Sequence, residues 1–457
     1  MRRWTIAWAV AVAAAAVVLL SHSTGGGLLA DTDTKTLIET IRAKHAPFSW
    51  FWSDWPLYNH FYRPIPTLLF ELDNALYGNN SAGYAWTNAG LASLCVVALF
   101  WLLRELTDRP IFALVGALLF AFWQSPWQTP LNGPYGPLHL AACATLAVGA
   151  WRHGRNVRLY LPAVLVLYGL SDLLTPLQDV RGTVIGWLPG RTASTMTLFA
   201  LLAMAAYARY ERKGGTVAQP APITPLTPPA TKSTRQTRAS NSVRWPWAIL
   251  GVLFAAASFA SYEQAVMLPA CLLAVAVTMR LQGYRPNWYW QAAFWGLILG
   301  YLEVRHQVIP PGSSQYQQQQ IKRSFEQPLL DISNFAFPPI ASIPNIAIQL
   351  SSGPYILLDL DVWATAIWWV ATGTTYYQLK REWKLGLAGW GMAIVAFLPM
   401  AFLHIFTHYY YWPLALRTLL AVAAGSVAWQ LVSIAWRPPE RQAPVRPDPA
   451  PGSLPHP

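Results

Sequence analysis

Long apolar runs separated by short basic segments restrict this chain more than any other feature. A helix that crosses a bilayer needs ~20 mostly apolar residues. Runs approaching that length recur at 4–20, 86–103, 245–259, 265–279, 288–302, 363–373, 385–406 and 414–436, with shorter or Pro-interrupted ones at 110–127, 137–151, 159–171 and 195–207. Only 11% of the 457 residues are charged, against about 25% in soluble domains. The expected fold is therefore all-α, a polytopic membrane bundle of about a dozen transmembrane helices.

Orientation follows from where the basic residues fall, because cytoplasmic segments retain Lys and Arg. With both termini inside and every run crossing, the inner segments hold 22 of the 32 Lys and Arg, among them Arg2, Arg3, Arg104, Arg109, Arg209, Arg212 and Lys384. The net charge of +12 is then largely positive-inside bias, and no nucleic-acid partner is expected. The placement expected is multi-pass in a plasma (inner) membrane, with cytoplasmic N- and C-termini. Arg2 and Arg3 ahead of an apolar stretch also suit a signal peptide, but no good small-x-small site precedes Asp31, so an uncleaved first helix is expected. Cys95, Cys143 and Cys271 fall within runs and read as small apolar fillers.

Four stretches break the apolar pattern. Residues 1–213 form an N-terminal membrane half that includes an outer loop at 21–85. Residues 214–243 read as a flexible basic cytoplasmic linker, and 244–436 as a second membrane half with an outer loop at 305–353. Residues 437–457 read as a disordered tail. Within the first loop, 33–45 can form a short helix with Leu37, Ile38 and Ile41 on one face. The aromatic cluster 48–55 suits a membrane interface. The large ordered-looking loops lie outside and no folded cytosolic domain is evident. Nor is there a G-x-x-x-x-G-K-[ST] phosphate loop, so nucleotide-driven chemistry is not expected.

Asp31 and Asp33 follow the first helix and put two carboxylates near the outer surface. Transfer of a sugar from a lipid phosphate to a hydroxyl needs a carboxylate to take the acceptor's proton. A second can orient the acceptor or hold a divalent cation, Mg or Mn, against the phosphate. The plain alternative is that one of them caps the following helix.

Later residues of the loop, Phe61-Tyr62-Arg63-Pro64 and then Leu72-Asp73, Leu76-Tyr77-Gly78-Asn79, Gly83-Tyr84 and Asn88, resemble the first outer loop of the GT-C integral membrane glycosyltransferases, in their O-mannosyltransferase-like branch. Trp187-Leu188-Pro189-Gly190-Arg191, Ser261-Tyr262-Glu263-Gln264-Ala265 and His408-Tyr409-Tyr410-Tyr411-Trp412-Pro413 are similar to later elements of that family, in its order. The sequence departs from it where Tyr262 replaces a usual Lys, where His408 replaces an Arg, and in having D-x-D rather than adjacent acids.

The resemblance implies a GT-C-like fold and a probe-able activity: a glycosyltransferase of inverting type, moving a sugar from a polyprenyl-phosphate donor to an acceptor (protein, lipid or glycan) at the outer face. Asp33 and Asp31 are its catalytic candidates. Arg63, Arg191, Arg305, Arg417 and His408 are candidates for the donor phosphate, because guanidinium pairs bidentately with phosphate. Arg191 can instead pair with Asp172 or Asp179, and Arg417 can snorkel. Glu263, His60 and Trp55 are candidates around the acceptor. Asp359 and Asp361 read first as helix-terminal acids. Two rivals stand beside this reading: a secondary transporter or lipid flippase, and a non-catalytic envelope assembly protein.

Overall fold

The computed structural model describes residues 2–21, 27–44, 46–126, 136–174, 180–214, 244–322, 324–336 and 382–438. The run 363–373, Asp359 and Asp361, the linker beyond Gly214, residues 337–353 of the 305–353 loop and nearly all of the tail lie outside the described residues. Among the described residues the fold is helical and without an extended strand; isolated bridge positions include the antiparallel pair Ile321 and Leu403. In chain order the helices are α1 (Arg2–Ser21), α2 (Thr32–Lys44), α3 (Pro64–Tyr77), α4 (Ser81–Thr107), α5 (Pro110–Trp123), α6 (Pro137–His153), α7 (Leu161–Leu174) and α8 (Val180–Val184). There follow α9 (Arg191–Lys213), α10 (Trp245–Phe259), α11 (Leu268–Leu281), α12 (Tyr289–Val308), α13 (Gln315–Gln320), α14 (Glu326–Ala336), α15 (Glu382–Ala401) and α16 (Tyr411–Ala435).

Five of the described segments are long and apolar enough to cross a membrane: α1, α4, Glu263–Leu281, α15 and Thr407–Ala435. Helices α5 and α10 are apolar but shorter. The run at 195–207 lies within α9, which falls outside that set for a physical reason. Its residues are buried around nearly the whole circumference, and many are small or hydroxylated: Ala193, Ser194, Thr195, Thr197, Ala200, Ala203, Ala205 and Ala206. Small residues let helices approach closely, and α9 packs against α3, α4, α10, α11 and α16. A helix that meets only other helices has no need of a lipid-compatible exterior.

The peripheral helices show the opposite pattern. Helix α1 buries only Ala7, Ala11, Ala15 and Val18, a stripe at helical spacing that meets α4 and α5. Its Ile6, Val10, Val12, Val17 and Leu20 are exposed, as bilayer-facing residues are. Helices α15 and α16 cross closely at Gly389, where an added Cβ would come within 2.6 Å of the Leu420 nitrogen.

The bundle has two chemically distinct ends. At one, the fully buried Glu105 accepts from Arg209 (3.1 Å) and Trp101 (3.2 Å), with Arg212 3.6 Å away. Nearby, Arg109 pairs with Glu382 at 2.7 Å, Lys384 donates to the Leu281 carbonyl, and Glu211 accepts from the Asn287 backbone. These contacts gather the chain segments in which the sequence concentrates its basic residues. At the other end, α2 and α3 form a cap with its own apolar core of Leu37, Ile38, Ile41, Trp50, Trp55, Phe70 and Tyr84. Helix α2 matches the expected short helix and buries the expected face. Helix α3 was not anticipated. It starts immediately after Arg63, with Pro64 and Pro66 in its first turn, where proline costs no hydrogen bond.

Candidate functional site

A cavity of about 670 Å³ opens at the capped end. Its wall includes Asp33 and Thr36 from α2, Trp55, Asn59, Phe61 and Arg63 from the loop ahead of α3, and Trp187 and Thr192 around the start of α9. Tyr262, Arg305, Tyr316, Gln317, Gln320, Phe406, His408 and Tyr409 complete most of it. Of the ten residues expected at a site, five line this space: Asp33, Arg63, Arg305, His408 and Trp55.

The two aspartates divide their work. Asp31 caps α2, since its Oδ2 accepts from the Thr34 nitrogen at 3.1 Å and the Thr34 hydroxyl at 3.3 Å. The same oxygen accepts from Trp187 Nε1 at 3.1 Å, which ties the acid to the segment before α9. Partial burial works to raise the Asp31 pKa, but the bonds from Trp187 and Thr34 outweigh it and hold the carboxyl below its usual range. Asp33 makes no such bonds and faces the cavity. Burial, and then the neighbouring Asp31 charge, push its pKa up. Two acids whose surroundings drive them apart in this way suit one permanently charged group and one proton acceptor.

The cationic side is built from long-range pairs. Arg63 Nη2 and Nε donate to Glu263 Oε2 at 2.6 and 2.9 Å, joining the cap to the turn between α10 and α11. Burial opposes the Arg63 charge, and Glu263 more than restores it. Its guanidinium lies 4.1 Å from the Phe61 ring centre and 4.5 Å from that of Tyr262. At the sequence level Arg63 could also fix a loop corner by bonding backbone carbonyls; the structure gives it a carboxylate instead. Arg305, near the end of α12, donates to the His60 carbonyl at 3.2 Å and also faces the cavity. His408 is buried between aromatic rings, with Trp187 at 5.5 Å and Phe406 at 5.6 Å, centre to centre.

Other candidates sit elsewhere. Arg191 is fully buried, not at the cavity. It donates to Asp73 Oδ2 at 2.5 Å, to Asn88 Oδ1 at 2.7 Å and to the Tyr84 carbonyl at 3.2 Å. A guanidinium so engaged fastens α3 and α4 to α9 and is not available to a phosphate. Arg417 lies buried in α16, 5.6 Å from the Phe335 ring centre, and is not part of the cavity wall. His60 works through its backbone: its carbonyl takes Arg305 and Gln317, and its nitrogen donates to Asp54 Oδ2. Its φ of +63° is a left-handed conformation that L-residues seldom adopt. Glu263 serves the cavity indirectly, through Arg63. Of the three loop tryptophans, Trp50 and Trp55 are buried in the cap, whereas Trp52 is 76% exposed with Phe48 beside it in sequence at 77%. Of the 48–55 cluster expected at an interface, Trp50 and Trp55 thus belong to the cap core instead.

Trp187, Tyr262, Tyr316, Gln320 and Tyr409 also line the cavity, each brought in by an element distant in sequence from Asp33, so no local pattern marks them as site residues. A divalent cation would find two carboxylates here, one with an oxygen already accepting three hydrogen bonds. That donor set does not fit a dedicated metal site, and no step is routed through a metal below. No protein-family model matches the chain, and no curated protein or solved structure matches it.

Proposed function

We propose that the chain is a membrane glycosyltransferase of GT-C-like architecture, moving a sugar from a polyprenyl-phosphate donor to an acceptor hydroxyl at the outer face of a plasma membrane. The observation that carries the reading is the meeting, in one cavity, of a carboxylate with a raised pKa, Asp33, and two guanidinium groups, Arg63 and Arg305. In this reading the chain crosses the membrane about a dozen times, the shorter helices included. The end bearing Glu105, Arg209 and Arg212 faces the cytoplasm with both termini, and the cavity opens on the opposite side, at the level of the lipid head groups.

The chemistry follows from the residue types. The Asp33 carboxylate takes the proton of the acceptor hydroxyl. The acceptor oxygen forms its bond to the anomeric carbon while the bond from that carbon to the phosphate oxygen breaks. The electron pair leaves with the polyprenyl phosphate, and inversion results. Arg305 and Arg63 stabilise the charge that builds on the departing oxygen. Asp31 remains ionised and holds α2 so that Asp33 stays in the wall. The hydroxyl acceptor comes from a protein, lipid or glycan.

The test is Asp33→Asn in full-length protein, assayed for transfer from a panel of polyprenyl-phosphate sugars. Expected is loss of transfer with unchanged expression and thermal stability. Full activity in this variant overturns the reading. A transporter reading calls for polar groups and broken helices at the membrane midplane, and no observation at the described spans specifically favours it.

A further inference from the structure

We propose that Asn59 and Gln320 read the hydroxyl groups of the donor's sugar and set which sugar the cavity accepts; this rests on the donor reading above. The Gln-rich segment at 315–320 looks featureless in sequence, but it is a built strap. Ser314 caps α13 in a reciprocal box with Gln317. The Ser314 hydroxyl donates to the Asn59 carbonyl at 3.0 Å, and Gln317 Nε2 donates to the His60 carbonyl at 2.9 Å. At its other end the strap is bonded to the link between α15 and α16, through Lys322 nitrogen to the Phe402 carbonyl at 3.0 Å and His404 nitrogen to the Gln320 carbonyl at 2.8 Å. The strap thus forms part of the cavity wall, with Tyr316, Gln317 and Gln320 among its lining residues.

Two side chains of this strap are occupied by the protein itself. Gln317 uses both ends of its amide, and Gln318 bonds Ser313. Two groups in the cavity wall are not. Asn59 Oδ1 and Gln320 Oε1 are buried without a hydrogen-bond partner among the described residues, and both side chains line the cavity. A buried acceptor without a donor carries an uncompensated desolvation penalty, and natural proteins seldom leave one unless something answers it.

The chemistry of the missing partner is limited. A phosphate diester presents acceptors only and is answered by the guanidinium side. A polyprenyl chain presents neither donor nor acceptor. A sugar hydroxyl is both, so it satisfies either end of a carboxamide. Two such groups in one wall suit a ligand with at least two free hydroxyls. Tyr316, 40% exposed, supplies aromatic surface in the same space.

The experiment measures binding to full-length protein in lipid nanodiscs. The probes are undecaprenyl phosphate and the same lipid carrying mannose, glucose, galactose or arabinose. The wild type is expected to bind at least one sugar-bearing lipid more tightly than the bare phosphate. Asn59→Leu and Gln320→Met should each remove roughly 3- to 10-fold of that gain, the net worth of one hydrogen bond, with affinity for the bare lipid unchanged. Gln320→Glu keeps an acceptor and should retain the gain. Arg305→Ala should weaken bare and sugar-bearing lipids alike. Equal wild-type affinity for all five probes overturns this inference and leaves the donor reading standing. So does an equal loss on bare and sugar-bearing lipids in the Asn59 and Gln320 variants, or a loss in Gln320→Glu as large as in Gln320→Met. Failure of the wild type to bind any of the lipids, undecaprenyl phosphate included, overturns the donor reading itself.

Discussion

Asp31 and Asp33 are two residues apart, and their difference is set by what each side chain meets. Three donors reach Asp31 Oδ2, whereas Asp33, exposed but partly desolvated by its surroundings, has a like charge beside it. If Asp33 is the base, its active form is the carboxylate. Transfer, measured as kcat/KM, should then rise with pH through an inflection above the ordinary aspartate value of 3.8. Asp31→Asn retains a side-chain oxygen to cap α2 but removes the negative charge. The inflection should move to lower pH without reaching 3.8, because burial, the larger cause, remains. A profile unmoved by Asp31→Asn would assign the titration to another group. The D-x-D pair was legible in the sequence as chemistry or as a cap. Which aspartate does which was not, because the deciding donor, Trp187 Nε1, comes from 156 residues away.

At the scale of elements, the same Arg type divides according to the partner the fold supplies. Arg191 lies at the first position of α9 and meets Asp73 on α3 and Asn88 on α4. The sequence motif around it was visible, but its partner was not, since α3 was not foreseen and the acids considered for it were others. Breaking a buried ion pair by removing one charge costs about 3–5 kcal/mol, because the remaining charge is left uncompensated. Asp73→Asn should therefore lower the thermal midpoint markedly. Asp73→Asn combined with Arg191→Met should recover part of the loss, as no buried charge then remains. In the folded fraction of the double variant the KM for the lipid donor should stay unchanged, as expected of a fastener between helices. A raised KM would return Arg191 to the phosphate site. Helix α2 was legible because its apolar face has helical spacing. Helix α3 was obscured by the two prolines that open it, although those positions tolerate proline well.

Across the whole molecule, hydropathy and charge carried the architecture further than motifs carried the site. Peripheral helices such as α1 keep apolar residues on every face, so their runs are plain in the sequence. Helix α9 is surrounded by protein and is built from Ala, Ser and Thr, which weakens the same signal at the centre of the bundle. Basic residues assigned to inner segments do converge: Arg104 stacks on Trp4, Arg209 and Arg212 reach Glu105, and Arg109 reaches Glu382. This convergence ties the start of α1, the ends of α4 and α9, and the start of α15 to one end of the bundle, with Asp33 at the other. Lys35 on α2 and Arg155 after α6 are both exposed and should therefore lie on opposite sides of the membrane. In a background lacking Cys95, Cys143 and Cys271, a membrane-impermeant maleimide applied to intact cells should label Lys35→Cys but not Arg155→Cys. Permeabilised cells should label both. Labelling of Arg155→Cys from outside would reverse the orientation and move the cavity to the cytoplasmic face, where a lipid-linked donor would have to compete with soluble nucleotide sugars.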